Sequence, residues 1–279
     1  MEPTPEACEK LAQAIADKET LNYVGFLGGG AFKRTYLVEK DGVKLALKVF
    51  FGSVSSERDA REIDVLRRLS YCSISKFHSS QSTQIEDKNY LWVLEEYLDG
   101  GTLGQKLNGV QLPIIDAKEM WKILIDSVAY VKNQNLVHRD IKPENIMFRS
   151  AEPEKPVLVD FGLVRDLSQP SLTTSWAMQG PGTPFFAPPE QLNNEKLLID
   201  WRSDQFSLGV VFALAVFGVH PYAVNDNPHA TVDRVSKRIG PTSAFNKLAI
   251  DNGCEALLKM IEPWPNGRFR KPTELLRVW

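Results

Sequence analysis

Cysteine is scarce in this sequence. Its three cysteines, Cys8, Cys72 and Cys254, lie far apart and none belongs to a Cys-x-x-Cys pair. Such a set argues against a secreted disulfide framework and against a zinc site, and reduced thiols fit a reducing, cytoplasmic compartment. Charge of one sign is also missing: 33 Lys and Arg stand against 35 Asp and Glu, a formal net charge of −2. Such a chain has no bulk attraction for nucleic acid or an anionic membrane, so neither is expected as a partner. Long hydrophobic runs are absent too. The longest, Phe206 to Val219, is interrupted by Ser207, Gly209 and Gly218. It falls short of the ~18 residues of a membrane-spanning candidate, which points to a buried core helix. The acidic, proline-bearing start from Met1 to Glu6 is unlike a signal peptide. No internal repeat or low-complexity tract is visible.

What is present is globular material, with 43% hydrophobic and 24% charged residues over 279 positions. That length suits two units of ~150 residues, or one bilobed one. Leu11, Ala12, Ile15 and Ala16 recur at helical spacing within residues 6–19 and predict a short leading helix packed on the body. Two β-rich runs, Thr35–Glu39 and Leu45–Phe50, flank Lys40-Asp41-Gly42, and Asp-Gly is a hairpin signal. Ser56-Glu57-Arg58-Asp59 has the form of a capping box ahead of an amphipathic face of Ile63, Leu66 and Leu69. Tyr90–Tyr97 reads as a further strand, and Asp99-Gly100-Gly101 as a boundary. Beyond it, Ala117–Asn133, Phe206–Val219 and Glu255–Ile261 read as helices. The expected class is α+β, a small β-rich part followed by a larger, mainly helical one. A groove between two such parts commonly takes a small molecule.

Three segments carry chemistry. The stretch Gly28-Gly29-Gly30-Ala31-Phe32 sits between β-like runs, where glycines let backbone N–H groups approach phosphate oxygens. Taken alone it is equally a structural turn. Lys48 ends the hydrophobic run Leu45-Ala46-Leu47 and is either a phosphate-neutralising cation or a solvated edge lysine, with Glu62 on the following helix as an ionic partner. The informative segment is His138-Arg139-Asp140-Ile141-Lys142-Pro143-Glu144-Asn145, followed by Asp160-Phe161-Gly162 after the apolar run Val157-Leu158-Val159. Hard oxygens at Asn145 and Asp160 suit Mg²⁺, which takes one or two protein ligands plus phosphates.

With these residues in this order, the chain resembles a eukaryotic-type (Hanks-type) serine/threonine protein kinase domain from about Tyr23 to about Leu276. Gly182-Thr183-Pro184-Phe185-Phe186 and Pro188-Pro189-Glu190 are similar to the end of that family's activation segment, and Asp204-Gln205-Phe206 to the start of its buried central helix. The resemblance implies a bilobal protein-kinase-like fold: an N-terminal extension over 1–22, an N-lobe over 23–98 and a C-lobe over 99–279. It implies transfer of the ATP γ-phosphoryl group to protein Ser/Thr hydroxyls, with ATP and Mg²⁺ as cofactors. Asp140 would orient the hydroxyl and accept its proton, and Lys142 would steady the γ-phosphate. Asn145 and Asp160 would hold the metal. Lys48 would grip the α- and β-phosphates, held in place by Glu62. Gly28, Gly29, Gly30, Ala31 and Phe32 would cover the phosphates. Ala46 and Met147 would sandwich adenine, and the backbone of Glu96 to Leu98 would hydrogen-bond it. Lys142 and Thr183 match the serine/threonine type. Leu66, Phe77, His138 and Phe161 would form a stacked column anchored at Asp204, and Arg268 would pair with Glu190. Thr173, Thr174 and Ser175 are expected sites of autophosphorylation, facing Arg139 and Arg165, with Arg58 as a possible third member.

The sequence departs from the family at four places. Lys33 replaces the third glycine of the phosphate loop, Thr35 an apolar residue over adenine, and Pro188 the alanine of Ala-Pro-Glu. Glu95 falls where the back of the adenine pocket is guarded, and a buried carboxylate there needs a partner or a proton. Two other readings stand beside the enzyme: a pseudokinase acting as a binding module, and a small-molecule kinase on a related fold. His78, His220 and His229 are expected at the surface or in loops. The oligomeric state is left open.

Overall fold

The computed structural model describes residues 4–29, 33–51, 57–162, 164–168, 183–225 and 227–279, without the side chains of 57–62 and 183. The chain divides into two compact units, Met1–Leu98 and Asp99–Trp279.

The N-terminal unit is built on one five-stranded antiparallel sheet in the order β1-β2-β3-β5-β4. Its strands are β1 (Asn22–Gly29), β2 (Lys33–Lys40), β3 (Val43–Phe50), β4 (Phe77–Ile85) and β5 (Lys88–Glu96). The β2–β3 hairpin closes on Asp41 and Gly42, at φ +51° and +77°. Two successive left-handed residues form the turn whose twist matches the flanking strands. Helix α1 (Pro5–Lys18) begins where the Thr4 hydroxyl accepts from the Ala7 N–H, with proline in the first turn. It buries Cys8, Ala12, Ile15 and Ala16. Ala12, Ile15 and Ala16 pack in one cluster with Tyr36, Val38, Leu45, Leu47, Val49, Trp92 and Leu94. One face of the sheet is thus covered by α1. Residues 45–50 of β3 are buried without a break, because Ala46 and Lys48, on the other face, are covered as well. This is why β3 reads as a continuous apolar run and not an alternating one. Helix α2 (Glu57–Arg68) follows β3 and buries Ile63, Val65 and Leu66; Ser56 of the expected capping box lies outside the described residues.

Strand β4 escapes hydropathy reading. Its sequence, Phe-His-Ser-Ser-Gln-Ser-Thr-Gln-Ile, is polar, and as the sheet's edge it needs only one paired neighbour. Its buried Thr83 receives the Trp92 indole N–H at 2.8 Å and donates to the Glu19 carboxylate.

In the C-terminal unit, α3 (Leu103–Leu107) and α4 (Ile114–Asn133) lead into short strands. β6 (Leu136–Val137) pairs with β9 (Arg165–Asp166), and β7 (Ile146–Arg149) with β8 (Glu152–Leu158). There follow α5 (Pro189–Leu192), α6 (Trp201–Phe217), α7 (Pro228–Ser236), α8 (Ser243–Asp251), α9 (Glu255–Met260) and α10 (Pro272–Val278). Helix α6 is the central one. It starts five residues before the apolar run, because Asp200 caps it and its first turn holds buried polar residues with internal partners. Ser203 donates to Glu190, Gln205 exchanges two bonds with the Phe269 backbone, and Asp204 accepts from the loop after β6. A side chain at Gly209 would meet Ile261 at 2.6 Å, so this glycine sets how closely α6 and α9 pack. Among the described residues no helix is long and apolar enough to cross a membrane.

His220 lies in the loop between α6 and α7, as one of the two expected placements has it, but it is buried there: it is 3% exposed, its Nε2 meets the Phe185 carbonyl at 2.9 Å, and its Nδ1 accepts from the Tyr222 N–H. The aromatic run around it, Phe185 and Tyr222, buries it. His78 and His229 are exposed.

Candidate active site

The loop after β6 is held by one carboxylate. Asp204 accepts the backbone N–H of His138 on Oδ2 and that of Arg139 on Oδ1, both at 2.8 Å. Arg139 sits at φ +70°, a conformation that a non-glycine residue adopts only when its surroundings impose it. Helix α5 adds a clamp, as Gln191 donates to the Arg139 carbonyl at 2.7 Å. Burial pushes the Asp204 carboxyl up to about 7, against the pull of the two backbone N–H groups. Burial likewise holds His138 down at about 4. Both ring nitrogens are occupied: Nε2 meets the Val159 carbonyl at 3.0 Å and Nδ1 accepts from the Asp140 N–H. The ring packs 4.6 Å from that of Phe161. His138 therefore shapes the loop as a neutral spacer.

Asp140 is the centre of a small polar cluster. Its Oδ2 accepts from Lys142 Nζ at 2.8 Å and from Asn145 Nδ2 at 2.9 Å. Asn145 also donates to the Asp140 carbonyl, so both hydrogens of its amide are spent on one residue. The 3-10 turn Pro143–Asn145 brings Asn145 back to that position. Desolvation raises the Asp140 carboxyl, Lys142 opposes it, and the negative charge of Asp160 raises it further. Asp160 stands at φ +62° and its Oδ1 accepts from the Gly162 N–H at 3.2 Å. The Val159 N–H donates to the Asn145 backbone carbonyl at 3.0 Å, which ties the residue before Asp160 to the main chain of Asn145. Asp140, Lys142, Asn145 and Asp160 are thus brought together within the C-terminal unit. Met147 lies in β7, half-buried.

Further along, the Glu190–Arg268 pair is present and wholly buried, at 2.7 Å. Ser207 and His220 bind the carbonyls of Phe186 and Phe185 and so fasten the 3-10 turn Thr183–Phe186 to α6 and its C-terminal flank. The Thr183 side chain, and all of Thr173, Thr174 and Ser175, lie outside what is described. Arg165 donates to the Lys196 carbonyl.

In the N-terminal unit, Gly29 closes β1 where a Cβ would meet the Lys33 carbonyl oxygen at 2.5 Å, and Gly28 precedes it. Gly30, Ala31 and Phe32 are outside the described residues. Ala46 and Leu98 are buried and Glu96 is half-buried. Lys48 has a partner that the sequence reading did not assign to it. Both of its described hydrogen bonds go to Glu95, at 2.9 Å to Oε1 and 2.8 Å to Oε2. The Ser75 hydroxyl donates to Oε2 at 3.1 Å. Glu62, the expected partner, belongs to α2, and its side chain is outside the described ones. The missed signal was register: Lys48 lies opposite Val93 and Ala46 opposite Glu95, so lysine and glutamate are diagonal neighbours on one face.

The described geometry is joined by a family match and three relatives. The family model "Protein kinase domain" matches residues 21–269. Myosin light chain kinase 3 of Danio rerio is 28% identical over 82% of this chain and 32% of its own length. MAP kinase-activated protein kinase 2 of Drosophila melanogaster is 32% identical over 64% of this chain and 49% of its own. Serine/threonine-protein kinase stk11 homolog of Dictyostelium discoideum is 29% identical over 76% and 37%. The chain spans about a third to a half of the length of these relatives.

Proposed function

Because the chain belongs to the protein kinase domain family, with its α+β fold, we propose that it is an ATP-dependent serine/threonine protein kinase acting on protein hydroxyls. The observation that carries this reading is the cluster on Asp140: a carboxylate raised by burial, with a lysine at 2.8 Å and an asparagine at 2.9 Å on the same oxygen. A raised carboxyl is a better proton acceptor near neutral pH. Asp140 orients the substrate hydroxyl and takes its proton. Lys142 places a positive charge beside it, where charge gathers on the transferring group.

The residues fit a magnesium ion. Asn145 has both amide hydrogens committed to Asp140, which leaves its Oδ1, a hard oxygen, as the ligating atom, and Asp160 supplies a carboxylate. Bound there with ATP, Mg²⁺ supplies neutralisation of phosphate charge. Lys48 is assigned to the α- and β-phosphates, with Glu62 as the family's partner for it, and Gly28 to Phe32 to the phosphate cover. Ala46, Met147 and the backbone of Glu96 and Leu98 are assigned to adenine, Thr183 to the serine/threonine preference, and Thr173, Thr174 and Ser175 to autophosphorylation.

A second reading, a binding module without transferase activity, has one observation in its favour: Glu95 neutralises Lys48. Incubation with Mg²⁺ and radiolabelled ATP separates the two. The kinase reading expects label on Ser/Thr proteins, on the chain itself at Thr173, Thr174 or Ser175 by mass spectrometry, and none on small alcohols or sugars. Asp140→Asn should lower transfer by about 10²-fold or more. No transfer to any protein, this chain included, overturns it.

A further inference from the structure

Among the described residues of the N-terminal unit, the buried pairing of Lys48 with Glu95 is a feature that the family reading does not account for. Lys48 and Glu95 have side chains only 11% and 3% exposed. An ammonium so buried is tolerated when it is paired and hydrogen-bonded. Glu95 meets that need with both carboxylate oxygens, and Ser75, itself buried, fixes one of them from behind. All three residues are on or beside one sheet, and the register Ala46–Glu95 and Lys48–Val93 fixes lysine and glutamate relative to each other through backbone pairing. A partner on a helix moves when the helix moves. A partner on the neighbouring strand does not.

We propose that Glu95 is a positioning residue for the phosphate-contacting lysine: it holds the Lys48 side chain in place, with Ser75 orienting the carboxylate, so that the lysine's placement does not depend on α2. This rests on the kinase reading above and deepens it. An ammonium has three N–H donors, and the two directed at Glu95 leave one for a phosphate oxygen. The geometry therefore lets Glu95 support nucleotide binding without surrendering Lys48.

The test compares Glu95→Gln, Glu95→Asp, Ser75→Ala and Glu62→Gln, the first also in a Lys48→Met background. The readouts are Mg-ATP affinity by calorimetry, kcat and KM for ATP, and the thermal midpoint without nucleotide. Glu95→Gln should weaken Mg-ATP binding roughly 10- to 100-fold, the scale of a displaced binding group. Glu95→Asp should recover part of it. Ser75→Ala should show a smaller loss, and serves in place of Glu95→Gln if that variant does not fold. Glu62→Gln should lose less than Glu95→Gln. In the Lys48→Met background, Glu95→Gln should add no further loss. Unchanged or tighter binding by Glu95→Gln overturns the proposal, because the carboxylate would then be idle or a competitor of phosphate. An equal loss in the Lys48→Met background also overturns it, by making Glu95 a structural residue only. If the wild type transfers phosphate and Asp140→Asn abolishes transfer, such results sink the role of Glu95 alone. A wild type that neither binds Mg-ATP nor transfers phosphate sinks both.

Discussion

Among the described residues, each unit of the molecule holds a buried ion pair, Lys48–Glu95 in one and Arg268–Glu190 in the other, and the two are finished differently. In the C-terminal unit, Arg268 spends all five guanidinium donors. Two go to Glu190, and the others to the carbonyls of Glu262, Arg202 and Pro263. Ser203 adds a bond to Glu190, and the guanidinium lies over the Phe206 ring. In the N-terminal unit, Lys48 has two described bonds, both to Glu95. A saturated pair is a brace: it joins α5, α6 and the segment before α10 and has nothing left for a ligand. An unsaturated pair keeps bonding capacity at the cost of firmness. Burial alone therefore does not tell these two pairs apart; the count of spent donors does.

The contrast can be tested by breaking each pair. Arg268→Met should cost the most, about 3–5 kcal/mol, since Glu190 loses its two bonds from the guanidinium and three carbonyls lose their donors in the interior. Chemical denaturation of wild type and variant measures it, and a loss below about 1 kcal/mol would deny the brace. Lys48→Met should cost less, about 1–3 kcal/mol, because the described bonds of Lys48 go to Glu95 alone and no backbone carbonyl loses a donor with it. Adding Glu95→Met to it should recover most of that loss, as an apolar pair replaces the ions. The same double replacement at Glu190 and Arg268 should recover little, because the carbonyls stay unserved.

The smallest effect is a matter of pH and again sets the C-terminal unit apart. Its buried histidines, His138 and His220, are each held near 4 by burial. The unfolded chain takes up these protons first, so their contribution to stability is complete above about 6.5 and is lost as pH falls through about 4. Asp204, raised to about 7, acts with the opposite sign: its contribution is present in acid and is lost as pH rises through about 7. His220→Gln should therefore flatten the fall of the thermal midpoint between about pH 6.5 and 4. An unaltered slope would remove His220 from the explanation.

Much of this was legible where neighbours in sequence are also neighbours in space. The stretch from His138 to Asn145 folds back on itself, so its residues announce the cluster before any fold is known. Asp41-Gly42 announces its hairpin because the turn residues themselves impose the backbone. Other features were hidden for physical reasons. Strand β4 is polar because an edge strand has little apolar surface to cover. The start of α6 is polar because Ser203, Asp204 and Gln205 are satisfied by distant partners. His220 is buried by aromatic neighbours that a lone histidine in sequence does not disclose. Glu95 could be flagged as needing a partner, but naming that partner required knowing that β3 and β5 lie side by side while β4 intervenes in the chain.

Helix α1 gives the sheet a second covered side, and this bears on how the protein should be handled. A chain shortened to begin at Leu21, where the family match starts, would bare Tyr36, Val38, Leu47, Trp92 and Leu94 together. Such an adhesive plate invites copies to clump. Helix α1 is thus a built-in solubiliser, and any preparation intended to stay dispersed has to retain it.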